Sequence, residues 1–308
     1  MKNIKYTIAL FLILISVVAC VRKVVIDIPY EGDRITMYSY ITQDSNVYAR
    51  LTKSGRQIDF SGNFTTITNG NVVLLENDIT VATLANTNIN GANWYISNYK
   101  AKANKTYTVK AIVPNLPNAQ GSDATVSKAA FKIDSFYFKP NSGMGNNTTT
   151  DFVRITIADP ATENYYLLKI FKADTNTAAT GPRYIINENS GSVRFIATAI
   201  AETQDPFEFL DPYGVNELYF SDAKFNGKTL AVKLDLDGYF SNGASDNKIA
   251  VILKSISKNY YMHRVSADNQ NINSGNPFVE PAQIFSNIMG GYGIVATSAD
   301  SVAFKRKQ

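Results

Sequence analysis

The chain has 308 residues, of which 45% are hydrophobic, and a formal net charge of +4. A charge this close to balance gives no indication of a nucleic-acid or anionic-lipid surface. A single cysteine excludes an internal disulfide framework and any multi-cysteine metal site. The length and apolar content suit one large or two ordinary globular domains.

The N-terminal residues have the pattern of a secretion signal. Lys2 and Lys5 supply positive charge, and residues 8–19 form an uncharged apolar run, short for a membrane-spanning helix of about 20 residues. Residues 17–20 (VVAC) resemble a bacterial lipobox. Residues 1–19 are therefore predicted to be a lipoprotein signal peptide, and Cys20 is predicted to carry the lipid anchor. The alternatives are a plain signal peptide with a chance cysteine, or an N-terminal anchor helix.

Alternating apolar and polar side chains, typical of strands with one buried face, dominate the rest of the chain. In residues 106–113 (TYTVKAIV), Tyr107, Val109, Ala111 and Val113 share a face. The same reasoning predicts strands at residues 71–75, 153–157, 165–171, 193–197, 229–236 and 249–253.

Turn-forming pairs separate these segments, and Asn-Gly and Asp-Gly favour tight hairpins. They are Asn90-Gly91, Asp159-Pro160, Asn226-Gly227, Asp237-Gly238 and Asn242-Gly243. One helix is predicted, at about residues 257–269. The expected fold class is all-β, with an N-terminal immunoglobulin-like β-sandwich followed by a larger β-sandwich domain that contains one short helix.

A domain boundary is expected in residues 114–127, a polar stretch with two prolines. It would separate an immunoglobulin-like domain at residues 20–120 from a C-terminal β-rich domain at residues 121–308.

Few residues offer catalytic or metal chemistry. His263 is the only histidine, and no Gly-x-Ser-x-Gly elbow is present, so a surface or packing role is expected for it. The chain is predicted to be no enzyme and to hold no cofactor or metal. Calcium stays open, because the sequence offers oxygen ligands near one Asp-Gly turn but lacks EF-hand spacing. Those ligands are Asp235, Asp237, Asn242 and Asp246.

Two tyrosine pairs, Tyr165-Tyr166 and Tyr260-Tyr261, have faces that could stack on sugars or peptides. Adjacent strand residues point to opposite faces of a sheet, so one ring in the core and one outside is expected.

The C-terminal residues carry a distinctive motif at 276–293, followed by a final strand. It comprises Asn276, Pro277, Phe278, Glu280, Pro281, Gln283, Ser286, Asn287, Gly291 and Gly293. This motif resembles the C-terminal signature of a Bacteroidetes lipoprotein family, domain-of-unknown-function family 4249. Upstream segments are similar too: residues 71–74, 105–109, 159–166 and 220–227. The motif is expected to be mainly architectural, with partner docking as the alternative.

The resemblance implies an outer-membrane lipoprotein of a kind commonly encoded beside a TonB-dependent transporter, and no established catalytic residue can be carried over from the family. We therefore expect an accessory or binding protein for nutrient capture, with the ligand unassigned and the membrane face, periplasmic or cell-surface, left open. A structural or adhesive envelope lipoprotein is the alternative. The third hypothesis is an enzyme that acts on glycans or peptides through carboxylates.

Overall fold

The computed structural model describes residues 32–55, 64–139, 150–178, 181–186, 195–200, 216–236, 248–273, 279 and 282–308. Within these residues the chain forms strands and one helix, and this confirms the all-β prediction. The first nine strands are β1 (Ile35–Thr42), β2 (Asn46–Lys53), β3 (Thr65–Thr66), β4 (Asn71–Glu76), β5 (Ile79–Ile89), β6 (Ala92–Lys100), β7 (Thr106–Ile112), β8 (Ala119–Ala124) and β9 (Ala130–Lys139). The remaining elements are β10 (Thr150–Ala158), β11 (Tyr165–Ala178), β12 (Gly181–Ile186), β13 (Phe195–Ile200), β14 (Leu218–Ser221), β15 (Thr229–Leu236), β16 (Lys248–Ile256), α1 (Lys258–Asn273), β17 (Ile288–Met289) and β18 (Tyr292–Arg306).

These strands form one large curled sheet and one small sheet. The large sheet has the order β12-β11-β16-β18-β1-β2-β6-β5-β4-β7-β8-β17, with β14 paired to β11 and β3 paired to β2. The small sheet has the order β13-β15-β10-β9.

Strand β18 pairs with the first strand, β1, and with β16, the strand that precedes the helix. Its first half runs parallel to β1, with Thr36 opposite Tyr292 and Thr42 opposite Ser298. Its second half runs antiparallel to β16, from Ser298 opposite Ile256 to Arg306 opposite Lys248. Parallel pairing requires a crossover connection, and here that connection is nearly the whole chain.

The predicted alternation matches the buried faces. In β7, Tyr107, Val109 and Ala111 are fully buried. Inward side chains of β15 are buried in the same way: Leu230, Val232, Leu234 and Leu236. Each fully buried large apolar side chain stabilises the fold by about 1.5–3 kcal/mol relative to an exposed one.

The described residues of the unit Asp33–Gln308 form two large hydrophobic cores and a smaller cluster of Tyr165, Leu167, Tyr219 and Ile256. The first is built mainly from β1, β2, β4, β6 and β7 and includes Val295 of β18. The second is built from β10, β11, β14, β15 and β16 and includes Phe136 of β9. The stretch expected to be a linker contains β8, in which Ala119, Gly121 and Asp123 are buried. The domain boundary itself stays a prediction.

Two local predictions are confirmed. Asn90 and Gly91, with φ of 50° and 83°, form the tight turn between β5 and β6. The helix begins one residue after the predicted start and ends at Asn273 rather than residue 269. Ser257 caps it, because its hydroxyl accepts a hydrogen bond from the Tyr260 amide at 3.2 Å. Asp237-Gly238 and Asn242-Gly243 lie outside the described residues.

Candidate functional site

Some of the predicted site residues belong to the described residues, and others lie outside them. Cys20, Asn276, Pro277, Phe278, Glu280 and Pro281 lie outside the described residues. Gln283 and Ser286 are exposed, and the Ser286 hydroxyl accepts a hydrogen bond from the Ile288 amide at 3.3 Å. The remaining motif residues, Asn287, Gly291 and Gly293, lie where β17 leads into β18.

Asn287 connects three segments of backbone. Its side-chain oxygen accepts the Val295 amide at 2.9 Å, and its side-chain nitrogen donates to the Val295 carbonyl at 2.7 Å. The same nitrogen donates to the Ser122 carbonyl of β8 at 3.1 Å. An asparagine amide can donate and accept at once. The Asn287 side chain therefore gives Val295 the two hydrogen bonds that the backbone of a neighbouring strand would otherwise provide.

The motif glycines are required by close backbone approach. A Cβ on Gly291 would lie well under 3.0 Å from the Ile35 carbonyl oxygen, and one on Gly293 would lie equally close to the Met37 carbonyl oxygen. Gly293 also has a φ of +103°, which L-residues rarely adopt. These glycines let β18 enter its parallel pairing with β1.

The residues before Asn287 hold the helix. His263 of α1 is buried, and its Nδ1 lies 2.7 Å from the Phe285 carbonyl oxygen. Because a carbonyl only accepts, Nδ1 carries the proton. The Phe285 amide donates in turn to the Ser266 hydroxyl at 2.8 Å. The expected packing role of His263 therefore has a specific form, the attachment of α1 to the C-terminal motif.

A buried carboxylate fixes the start of α1 to β8 and β18. Asp123 accepts the Asn259 side-chain amide at 2.9 Å and the Thr297 backbone amide at 2.7 Å. Burial raises the pKa of the Asp123 carboxyl, while hydrogen bonds from Ser257, Thr297 and Asn259 oppose the rise. The described part of the motif and its neighbours thus form a structural junction. A docking role for the motif stays a prediction.

The tyrosine pairs are placed differently from the expectation. Tyr166 lies in the second core, as expected for one ring of the pair. Tyr165 points to the opposite face, but it is buried there because α1 covers it, with its ring centroid 4.8 Å from that of Tyr261. Tyr260 and Tyr261 are both half-buried against this face. The helix was predicted, but its position over the sheet was not.

Two upstream segments of the family resemblance meet at one corner of the second core. Asp159 accepts the Tyr166 hydroxyl at 2.5 Å and the Gly227 amide at 2.8 Å. Asp222 accepts the Asn164 amide at 2.7 Å. Each of these carboxylates is buried and receives a backbone donor, so the corner is an architectural feature.

The outer face of β1, β2 and β6 carries a group of partly exposed aromatic side chains. Tyr38, Tyr40 and Tyr48 are 36%, 36% and 37% exposed. Arg50 is the direct neighbour of Tyr38 across the β1–β2 pair. Its guanidinium carbon lies 5.9 Å from the centre of the Trp94 ring. We call these five residues the aromatic face.

The helix borders the aromatic face on one side. Tyr260 packs on Tyr40 with ring centroids 4.9 Å apart, and His263 meets Tyr38 edge-on at 5.9 Å. Burial raises the pKa of both strand tyrosines, so their hydroxyls stay protonated and able to donate. Sequence reasoning missed this face, although the alternation in Ile35–Thr42 (ITMYSYIT) places Tyr38 and Tyr40 on the side opposite Met37 and Ile41.

Neither a cluster of metal-ligating side chains nor a membrane-spanning helix is found in the part of the chain that the structure describes. Those residues contain no group of three or more histidine, cysteine, aspartate or glutamate side chains arranged to hold a metal ion. Of the possible calcium ligands, Asp237, Asn242 and Asp246 lie outside the described residues. No helix within the described ranges is both long and apolar enough to cross a membrane.

Comparison with known protein families identifies the family of this chain. Residues 21–302 match the family described as Domain of unknown function (DUF4249), so the protein belongs to that family. Among curated proteins, none matches the chain. Among solved structures, the chain is similar to a candidate membrane-anchored protein from Corynebacterium diphtheriae, with 11% identity and a TM-score of 0.21. That alignment covers 74% of this chain and 55% of the other, so the chain spans about half that protein's length.

Proposed function

We propose that the protein is a lipid-anchored outer-membrane binding protein that partners a TonB-dependent transporter in nutrient capture. The observation that carries the binding role is the aromatic face. Tyrosine and tryptophan rings combine an apolar surface with a polar group and are enriched where proteins bind ligands or partners. Here three such rings stay about one-third exposed on the strands of a sheet.

The setting of this face also favours recognition over catalysis. β1 and β2 are interior strands of the large sheet, held between β18 and β6. Side chains on such strands have well-defined positions, which lowers the entropy lost on binding. The proposal therefore includes the absence of enzymatic activity, which a screen of glycans and peptides for turnover tests.

The anchor rests on the sequence. Residues 17–20 resemble a lipobox, whose cysteine would be acylated, and they lie directly before residue 21, where the family match begins. Several acyl chains on Cys20 would hold the protein stably at a membrane, since each buried methylene contributes about 0.8 kcal/mol. The outer membrane and the transporter come from the family resemblance and are part of the proposal.

Affinity purification from the native outer membrane in mild detergent, followed by mass spectrometry, tests the proposal. We expect a TonB-dependent transporter in near-equal amount and an acylated Cys20. Cys20→Ala, which cannot be acylated, is the control variant, and it should be lost from the outer-membrane fraction. An acylated protein recovered without a transporter, together with unchanged nutrient uptake in a deletion strain, would favour the structural or adhesive alternative.

A further inference from the structure

The aromatic face has a definite spacing. Tyr38 and Tyr40 lie two residues apart on β1, so their Cα atoms are about 7 Å apart. Arg50 stands opposite Tyr38 on β2, at the spacing of about 5 Å between neighbouring strands. Together with Trp94 beside Arg50, these side chains cover an area that suits a few connected rings rather than one small ion.

The strands that form this face carry basic but no acidic side chains. No aspartate or glutamate occurs in β1 (Ile35–Thr42), β2 (Asn46–Lys53) or β6 (Ala92–Lys100). Lys53 is paired with Asp33 at 2.6 Å. Arg50 is exposed, and among the described residues no carboxylate pairs with it. The face therefore presents a guanidinium whose neighbours are aromatic rings, and an anionic group is its complement.

We propose that the aromatic face binds an oligosaccharide that carries carboxylates, of the uronic-acid class. This inference rests on the proposed binding function and names its ligand class. A pyranose has an apolar face that stacks on tyrosine and tryptophan, while its hydroxyls bond to phenol groups. Its carboxylate fits the fork of the Arg50 guanidinium, which can bind such a group bidentately while it stays beside the Trp94 ring.

Two other polymers fit less well. A peptide strand adds to a sheet through a free edge, whereas β1 and β2 are already paired on both sides. A single-stranded nucleic acid needs a groove of repeated cations along its phosphates, whereas the aromatic face contains one, Arg50. Aromatic rings with one cation suit a sugar chain that binds through its ring faces and one carboxylate, with its other carboxylates in water.

Calorimetric titration of the full-length acylated protein in mild detergent tests the inference. The probes are oligosaccharides of galacturonate, mannuronate and glucuronate, a neutral galactose oligosaccharide of equal length, and an oligothymidylate. We expect at least one uronate to bind, the neutral sugar to bind at least about tenfold more weakly, and added salt to weaken uronate binding.

Substitutions on and away from the aromatic face test whether the uronate binds there. Arg50→Gln and Tyr38→Ala should each weaken uronate binding about tenfold or more. Lys110→Gln in β7, which removes the same charge away from the aromatic face, should leave it unchanged. Because Arg50 is exposed, Arg50→Gln should keep the wild-type melting temperature, so its loss of binding would not reflect misfolding.

Several results would overturn the inference: no uronate binding, equal affinity for the neutral sugar, tighter binding of oligothymidylate, or full uronate affinity in Arg50→Gln. A transporter recovered by purification without uronate binding would leave the proposed function intact and remove this ligand class. Uronate binding without a transporter would keep the ligand class and remove the transporter partnership.

Discussion

Asn287 and Val295 are joined by two hydrogen bonds, from the Val295 amide to the Asn287 side-chain oxygen at 2.9 Å and from the Asn287 side-chain nitrogen to the Val295 carbonyl at 2.7 Å. Val295 is fully buried in the first core. Its amide and carbonyl groups therefore could not form hydrogen bonds with water if Asn287 were replaced. A buried polar group left unpaired costs about 1–3 kcal/mol. The side chain of Asn287 is therefore a structural requirement of the C-terminal motif.

The first prediction is that Asn287→Ala lowers the free energy of unfolding by about 2–4 kcal/mol, because two buried backbone groups lose their partner. Urea denaturation followed by circular dichroism measures the change. Asn98→Ala, at an exposed position in β6, is the control and should change stability by less than about 0.5 kcal/mol. Equal stability of the two variants would contradict the prediction.

The second prediction concerns the entry of β18 into its pairing with β1. Gly293→Ala should destabilise the protein by about 4 kcal/mol or more or prevent folding, because its Cβ would collide with the Met37 carbonyl oxygen. Gly91→Ala is a matched control, since Gly91 also has a positive φ, +83°, but no atom lies within 4 Å of its added Cβ. It should cost only about 1–2 kcal/mol. The difference in thermal stability isolates the collision from the backbone preference.

The amino-acid sequence predicted which face of a strand is buried far better than it predicted which strand pairs with which. Alternation identified the buried side of β7 and β15 because side chains in a strand point to alternate faces. It contained nothing to pair Thr36 with Tyr292, which lie at opposite ends of the chain. Pairing over such a separation depends on the packing of the whole unit, which no local pattern encodes.

The candidate sites show the same limit. The C-terminal motif was noticed as a pattern, but the contacts of Asn287 with Ser122 and Val295 needed the fold. Tyr38 and Tyr40 were overlooked because outward aromatic residues in a strand look like ordinary β-formers. What distinguishes them is the absence of carboxylates on β1, β2 and β6, and those strands are neighbours only in the folded sheet.

The third prediction concerns acid stability at Glu76, at the end of β4. Hydrogen bonds from Tyr99 and Tyr107 and from Lys105, with the nearby charge of Lys102, outweigh burial and lower its pKa from 4.5 to about 2. The Tyr107 hydroxyl donates to the carboxylate at 3.0 Å, and Lys105 lies 3.3 Å away. The ionised carboxylate is thus favoured in the folded state.

Since the folded pKa lies below the unfolded one, the stabilisation by Glu76 is complete above pH 4.5 and is lost as the pH falls toward about 2. Urea titrations across this range should show a smaller loss of stability in Glu76→Gln than in the wild type. Asp78→Asn, at an exposed position two residues further along, should retain the wild-type dependence. A Glu76→Gln profile parallel to the wild type would refute the role of this carboxylate.

The fourth prediction uses the only histidine of the chain. Burial lowers the pKa of His263 below its ordinary 6.5, the charge of Arg264 lowers it further, and the hydrogen bond to the Phe285 carbonyl opposes this shift. The folded state therefore favours the neutral ring. Its contribution to stability is present above pH 6.5 and is lost as the pH falls and the ring must take up a proton.

Nuclear magnetic resonance can follow this one imidazole directly, because no other histidine signal overlaps it. We expect its titration midpoint in the folded protein below 6.5 and a return to the ordinary value in concentrated urea. Ser266→Ala removes the hydroxyl that accepts the Phe285 amide and should loosen the contact between Phe285 and His263. Because the hydrogen bond to the Phe285 carbonyl raises the pKa of His263, the midpoint of this variant should fall further below 6.5. A folded midpoint at or above 6.5 would contradict the prediction that burial has the largest effect on the pKa of this ring.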